Sequence, residues 1–167
     1  MNSVFVGTEV LSEEAAARLF DLSMQMVVDA ELKDPSMNEV RLHISEINRL
    51  GFAPVIERAR TLAPWLGPVM FGQLNPTSRR PSVHDHSIHH ALLYYVHLKW
   101  DRGWMGGTIF LNSEKTRITG HVPYTPKSFV IIPKGLVHSM LPTSDDSPKY
   151  RLTATIFMGN SSADSTS

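Results

Sequence analysis

The chain reads as an α+β fold, with helices first and then a run of short strands rolled into a sandwich or jelly roll. Two observations predict this. The first third carries apolar residues at helical spacing, whereas everything after Pro64 breaks into short β-branched and aromatic runs divided by Gly, Pro, Asn and Asp. Helices segregated from a later set of antiparallel strands pack on one sheet. A length of 167 residues suits one core.

The helices follow in order. Ser12 is an N-cap, with Glu13 and Glu14 at the positive end of the helix dipole. Leu19, Phe20, Met26, Val27 and Ala30 then recur on one face until Pro35. A second helix is expected from Ser36 to Leu50, with Val40, Ile44 and Ile47 aligned and Gly51 ending it. A third runs from Ala53 to Leu62, aligning Val55, Ile56, Ala59 and Leu62. Eight strands are expected: Val69 to Leu74, Ser82 to His86, His90 to Leu98, Gly107 to Leu111, Arg117 to His121, Ser128 to Ile132, Val137 to Leu141 and Tyr150 to Met158. Residues 1–158 then form a single domain. Residues 159–167, small and polar, read as a disordered tail.

Composition narrows the function. Hydrophobic residues make up 42%, and 16 basic residues balance 16 acidic ones, so no net field selects nucleic acid. No apolar run is long enough to span a membrane. There is no cysteine, which removes disulfides and thiolate metal sites; with no signal peptide in view, a cytoplasmic location is expected.

Five of the eight histidines lie between His84 and His97, and His138 closes Pro133-Lys134-Gly135-Leu136-Val137-His138. On a strand, residues two apart share a face, so His84 and His86 point the same way. A third imidazole from a distant strand would let His84, His86 and His138 converge on one ion. Neutral imidazole suits iron, zinc, copper or nickel, so the set alone names no metal. His89, His90 and His97 read as supporting or structural residues, His43 as an exposed helical residue, and His121 as a loop residue.

Two further blocks stand out. In Trp100 to Phe110, Gly106-Gly107 allows positive φ or close backbone approach. In Tyr150 to Phe157, Arg151, Thr153 and Thr155 share one strand face and Leu152, Ala154 and Ile156 the other. If Arg151 points inward it needs an anion, because an unpaired buried charge is costly, and a guanidinium suits a carboxylate.

The series His84, Tyr94-Tyr95, Trp100, Gly106-Gly107-Thr108, Pro133 to His138 and Arg151 to Phe157 resembles the iron(II)/2-oxoglutarate-dependent oxygenases, in particular the prolyl-4-hydroxylase-like group. The resemblance implies a double-stranded β-helix, the jelly roll, with Fe(II) as metal and 2-oxoglutarate as cosubstrate. It implies that His84 and His138 are ligands, and that Arg151 binds the distal carboxylate of 2-oxoglutarate with help from Tyr95 and from Thr153 or Thr155. The expected partners are dioxygen and a small-molecule or amino-acid-type substrate, met by Asn75 and Arg79 in the loop before the histidines; a homodimer stays open. The third ligand of that family, a carboxylate two residues after the first histidine, is here His86. Three readings remain: a three-histidine site, a bulge that turns Asp85 inward, or an altered metal preference. Cupins, also double-stranded β-helices, are the second resemblance. A cupin site would draw on His84, His86, His90 and His138, and would leave the Gly pair and Arg151 without a role.

Overall fold

A computed structural model describes residues 3–8, 10–76 and 82–161. The chain opens with a short strand that the sequence pattern did not signal, β1 (Phe5–Gly7). Helix α1 (Glu13–Lys33) follows, capped as expected by the Ser12 hydroxyl, which accepts from Ala15 N at 3.2 Å. Its buried positions, Ala16, Leu19, Ser23 and Val27, step by three and four along one face.

The second helix expected over 36–50 is mostly not helical. Val40–Leu42 is strand β2, and only Ile44–Arg49 forms a helix, α2. Val40-Arg41-Leu42 satisfies a two-residue period as well as a helical one, and pairing with a neighbouring strand decides between them. Ile44, placed on the apolar face by sequence, is instead 49% exposed. Helix α3 (Ala53–Leu62) matches its expected bounds and buries Val55, Ile56 and Ala59.

Seven strands complete the chain: β3 (Leu66–Asn75), β4 (His90–Tyr95), β5 (Thr108–Leu111), β6 (Ile118–Val122), β7 (Phe129–Ile132), β8 (His138–Met140) and β9 (Thr153–Asn160). They form two antiparallel sheets, one of six strands in the order β1-β7-β4-β9-β3-β2 and one of three in the order β6-β5-β8. His121 lies in β6 rather than a loop. Gly159 and Asn160, read from sequence as the start of a tail, belong to β9, and Asn160 pairs with Leu66. Residues 162–167 lie outside the described residues. The expected strand over 82–86 reduces to one bridge, His84 with His138, which sets that segment beside β8.

The large sheet is buried on both faces, so its central strands read as continuous apolar runs. Leu92, Tyr94, Phe129, Ile131, Ala154 and Ile156 face α1, α2 and α3 in one core. The alternate residues Leu93, Tyr95, Val130, Ile132 and Phe157 face the small sheet and pack with Phe110 of β5. Each fully buried large side chain contributes about 1.5–3 kcal/mol. The inner face is where polar side chains interrupt the apolar ones: Thr153 and Thr155 share the strand parity of Phe157 and are buried with it. Among the described residues, no helix is long and apolar enough to cross a membrane.

Candidate metal centre and anion site

His84 and His138 are placed by their mutual bridge, His84 N donating to His138 O at 3.0 Å and His138 N to His84 O at 2.9 Å. Gly135 N donates to the His86 carbonyl at 2.9 Å, tying the next turn of the same segment to the loop before β8. The three rings meet on one side of this pair. Their centroids are 5.0 Å (His84 to His86), 4.5 Å (His84 to His138) and 4.9 Å (His86 to His138) apart. One ring nitrogen from each lies within 4.8 Å of the others, a group able to hold a metal ion. Metal–nitrogen bonds of about 2.1 Å would draw these atoms closer by modest side-chain rotation.

The ring orientations suit ligation. His84 Nδ1 lies 2.9 Å from the Ser82 carbonyl, and His138 Nδ1 lies 2.9 Å from the Leu136 carbonyl. A carbonyl only accepts, so both Nδ1 atoms carry the proton and both Nε2 lone pairs are free. His86 is held by its ring edge on Phe157, centroids 4.9 Å apart. Burial pushes the His86 imidazole down to about 4, helped by the neighbouring His138 and His84 rings. Burial likewise lowers His138 to about 4, against the opposing pull of its bond to Leu136. Both rings are therefore neutral at pH 7, the form that binds a metal.

Asp85 is exposed and stands outside this group. No bulge brings it in. His90, the further cupin-type candidate, is held elsewhere: its Nδ1 accepts from Lys134 N at 3.1 Å, its Nε2 lies 3.0 Å from Asn160 Oδ1, and its ring packs on Trp65. The four-histidine cupin set does not assemble.

The histidines form one end of a cavity of about 90 Å³ that reaches Thr108, Met140 and Thr155 on the inner faces of both sheets. Asn75 and Gln73 line its mouth, with Asn75 Nδ2 donating to Thr155 Oγ1 at 3.2 Å and Gln73 Nε2 to Asn75 Oδ1 at 3.0 Å. The mouth opens into a larger cleft of about 740 Å³, bounded by the loop after α1 and by Lys149 and Tyr150. Lys149 Nζ donates to both carboxylate oxygens of Glu31 at 3.0 Å, and the Tyr150 hydroxyl also donates to Glu31, anchoring that wall to α1.

Arg151 stands behind the cavity, 2% exposed. The inward direction, favoured from sequence over an exposed edge position, is the one the structure shows. Its Nε donates to the Gly106 carbonyl, its Nη1 lies 2.8 Å from Met140 Sδ, and its Nη2 has no partner. The guanidinium faces the rings of Tyr124 and Tyr95, 5.3 and 5.9 Å from their centroids. Among the described residues no carboxylate pairs with it. Burial lowers its pKa, while Tyr124 and Tyr95 oppose that shift. An arginine stays charged in proteins, so the site carries a buried cation with one unsatisfied donor edge. Gly106 makes the approach possible: its φ is +76°, and a Cβ there would stand 3.0 Å from Arg151 Nε.

The remaining expected residues divide. Thr155 lines the cavity. Thr153 is buried on the same face with an unpartnered hydroxyl, opposite Tyr95 in register. The Tyr95 hydroxyl is spent on Thr108 Oγ1 at 2.9 Å, and Tyr95 does not line the cavity. Asn75 lies at the mouth; Arg79 lies outside the described residues. Three residues had no role assigned from sequence. Thr108 and Met140 were findable, since each is two positions from a residue on the inner face, Phe110 and His138. Tyr124 comes from an irregular segment with no periodic signal. It is buried, and its hydroxyl donates to the Leu152 carbonyl at 2.6 Å, fixing the chain beside Arg151.

The arrangement defines a class: an antiparallel two-sheet protein with an imidazole cluster lining an internal cavity and a buried guanidinium without an acidic partner behind it. No family model matches the chain, and no curated protein does. Solved structures do. AviO1 from Streptomyces viridochromogenes Tue57 is 15% identical with a TM-score of 0.66, covering 93% of this chain and 89% of that one. A prolyl hydroxylase from Trichoplax adhaerens, solved with a hypoxia-inducible-factor peptide fragment, is 10% identical with a TM-score of 0.65, covering 94% and 83%. HygX from Streptomyces hygroscopicus, solved with nickel and 2-oxoglutarate, is 10% identical with a TM-score of 0.61, covering 93% and 82%. The chain shares the fold of these solved structures, a prolyl hydroxylase among them.

Proposed function

We propose that this chain is an iron(II)- and 2-oxoglutarate-dependent dioxygenase on a double-stranded β-helix, with His84, His86 and His138 as metal ligands. The observation that carries this reading is Arg151: a fully buried guanidinium with a free Nη2 and no acidic partner, behind the cavity that the histidines open. A buried charge without a counter-ion costs several kcal/mol, and a dicarboxylate spanning the cavity would relieve it while leaving its other end for the metal. With metal, 2-oxoglutarate and dioxygen bound, the site would supply substrate oxidation coupled to release of succinate and carbon dioxide.

The residues of the chain divide the remaining work. Ser82 and Leu136 carbonyls hold His84 and His138 with their Nε2 atoms free. Gly106, Tyr95 and Tyr124 hold the guanidinium in place. Thr155 and Thr153 offer hydroxyls on the same face. Leu93 and Ile132 give the cavity apolar walls that exclude water. Three neutral ligands leave the metal's full double charge for the diacid to offset, which binds metal and cosubstrate together more tightly than either alone. The larger cleft, bounded partly by the loop after α1, is of a size that takes a small-molecule substrate, amino-acid-type molecules included.

Thermal unfolding under nitrogen tests this. Manganese(II) and 2-oxoglutarate together should raise Tm by more than the sum of their separate shifts, because each binds the native state more tightly when the other is present. Additive or absent shifts, with no succinate formed when iron and air are supplied, would remove the proposal.

A further inference from the structure

Arg151 lines neither cavity, whereas Met140 lines both. Met140 pairs across β8 and β5 with Thr108 and lies two residues beyond His138, so its side chain shares the inner face with that ring. Its Sδ is the partner of Arg151 Nη1. The thioether thus stands between the guanidinium and the space that the histidines face.

We propose that Met140 is a latch on the anion site: its sulfur holds Arg151 until a 2-oxo diacid arrives, and the diacid's far carboxylate takes over the guanidinium and moves the side chain toward the larger cleft. This rests on the reading of Arg151 as the anion site. The exchange is downhill, since a thioether is a weak acceptor and a carboxylate forms charge-assisted, two-pronged bonds with a guanidinium. It is also accessible, since methionine is unbranched with three rotatable bonds. Because Met140 is wall to both spaces, its movement reshapes the substrate side when the diacid binds. The coupling is reciprocal: whatever favours the displaced side chain favours the diacid. It also makes Met140 a specificity-determining residue, because a 2-oxo acid with no second carboxylate has nothing to exchange for the sulfur.

The test uses zinc-loaded protein carrying methyl-¹³C methionine, eight residues in all, with the Met140 signal assigned from its loss in Met140→Leu. Saturating 2-oxoglutarate should move the Met140 methyl signal, and pyruvate should not. By calorimetry, Met140→Leu, similar in volume but without the acceptor, should bind 2-oxoglutarate about two- to tenfold more tightly, the equivalent of one ordinary hydrogen bond, and pyruvate with unchanged affinity. If 2-oxoglutarate binds while the Met140 signal stays fixed, or if Met140→Leu leaves its affinity unaltered, the latch is wrong and the anion site stands. If neither protein binds 2-oxoglutarate, the anion site is wrong and the latch falls with it.

Discussion

The histidine cluster that lines the cavity and the arginine buried behind it solve opposite problems. At the histidine cluster, three side chains of graded exposure gather ring nitrogens on one point. His84 is exposed, His86 half-buried and His138 buried. Neutral rings can face an apolar cavity without a counter-charge, and two of them are oriented by backbone carbonyls close in sequence. At the arginine end a single permanent charge is sealed among two tyrosine rings, a glycine carbonyl and a thioether. None of these neutralises it. Removing a group should therefore have different consequences at the two ends.

The largest effect is expected at the histidines. His138→Ala removes the most buried of the three proposed ligands and should weaken manganese(II) or cobalt(II) binding by more than about a hundredfold, beyond what loss of a supporting residue costs. His86→Asp should retain metal, and Asp85→Ala should match the wild type. Loss of binding in Asp85→Ala with binding intact in His86→Ala would transfer the third ligand to Asp85.

The arginine end should separate stability from binding. Arg151→Met replaces the buried charge with an apolar chain of similar length, so the ligand-free protein should unfold at the same or a higher temperature. Its affinity for 2-oxoglutarate should fall at least about thirtyfold, since truncating one partner of a buried charge pair costs about 2–5 kcal/mol. A marked loss of stability without metal or diacid would mean that Arg151 is structural.

A smaller effect belongs to pH. His86 and His138 titrate near 4 in the folded chain, below the ordinary imidazole value of 6.5. Between these values the unfolded chain holds more protons than the folded one, so stability rises with pH across that window and levels off above it. The metal-free Tm should drop as pH falls from about 6.5 to about 4, and His86→Leu combined with His138→Leu should flatten that slope. An unchanged slope would place the responsible group elsewhere, His97 being the next buried imidazole with a lowered value.

Much of this was legible in the chain because it rests on periods of two. The shared face of Thr153 and Thr155 follows from strand geometry alone, whereas His84, His86 and Arg151 keep the same spacing in segments that are not regular strands. The capping of α1 at Ser12 and the bounds of α3 are equally local. Where the local signal was short or double it failed. Val40-Arg41-Leu42 fits helix and strand alike, and only pairing with β3 makes it β2. Phe5–Gly7 is too brief to signal itself, and Gly159 and Asn160 look like a tail until β3 supplies their partners.

By itself the sequence determined which residues share a face and which types of chemistry they could serve. Tertiary structure decided which face is inside. Alternation fixes parity but not sign: on β9 both faces are buried, one against helices and one against the small sheet, and Arg151, two residues before β9, meets Met140 of the small sheet only because the two sheets close on each other. Tyr124 and Met140 became its neighbours through the same closure, because contacts between remote segments depend on where the chain returns in space.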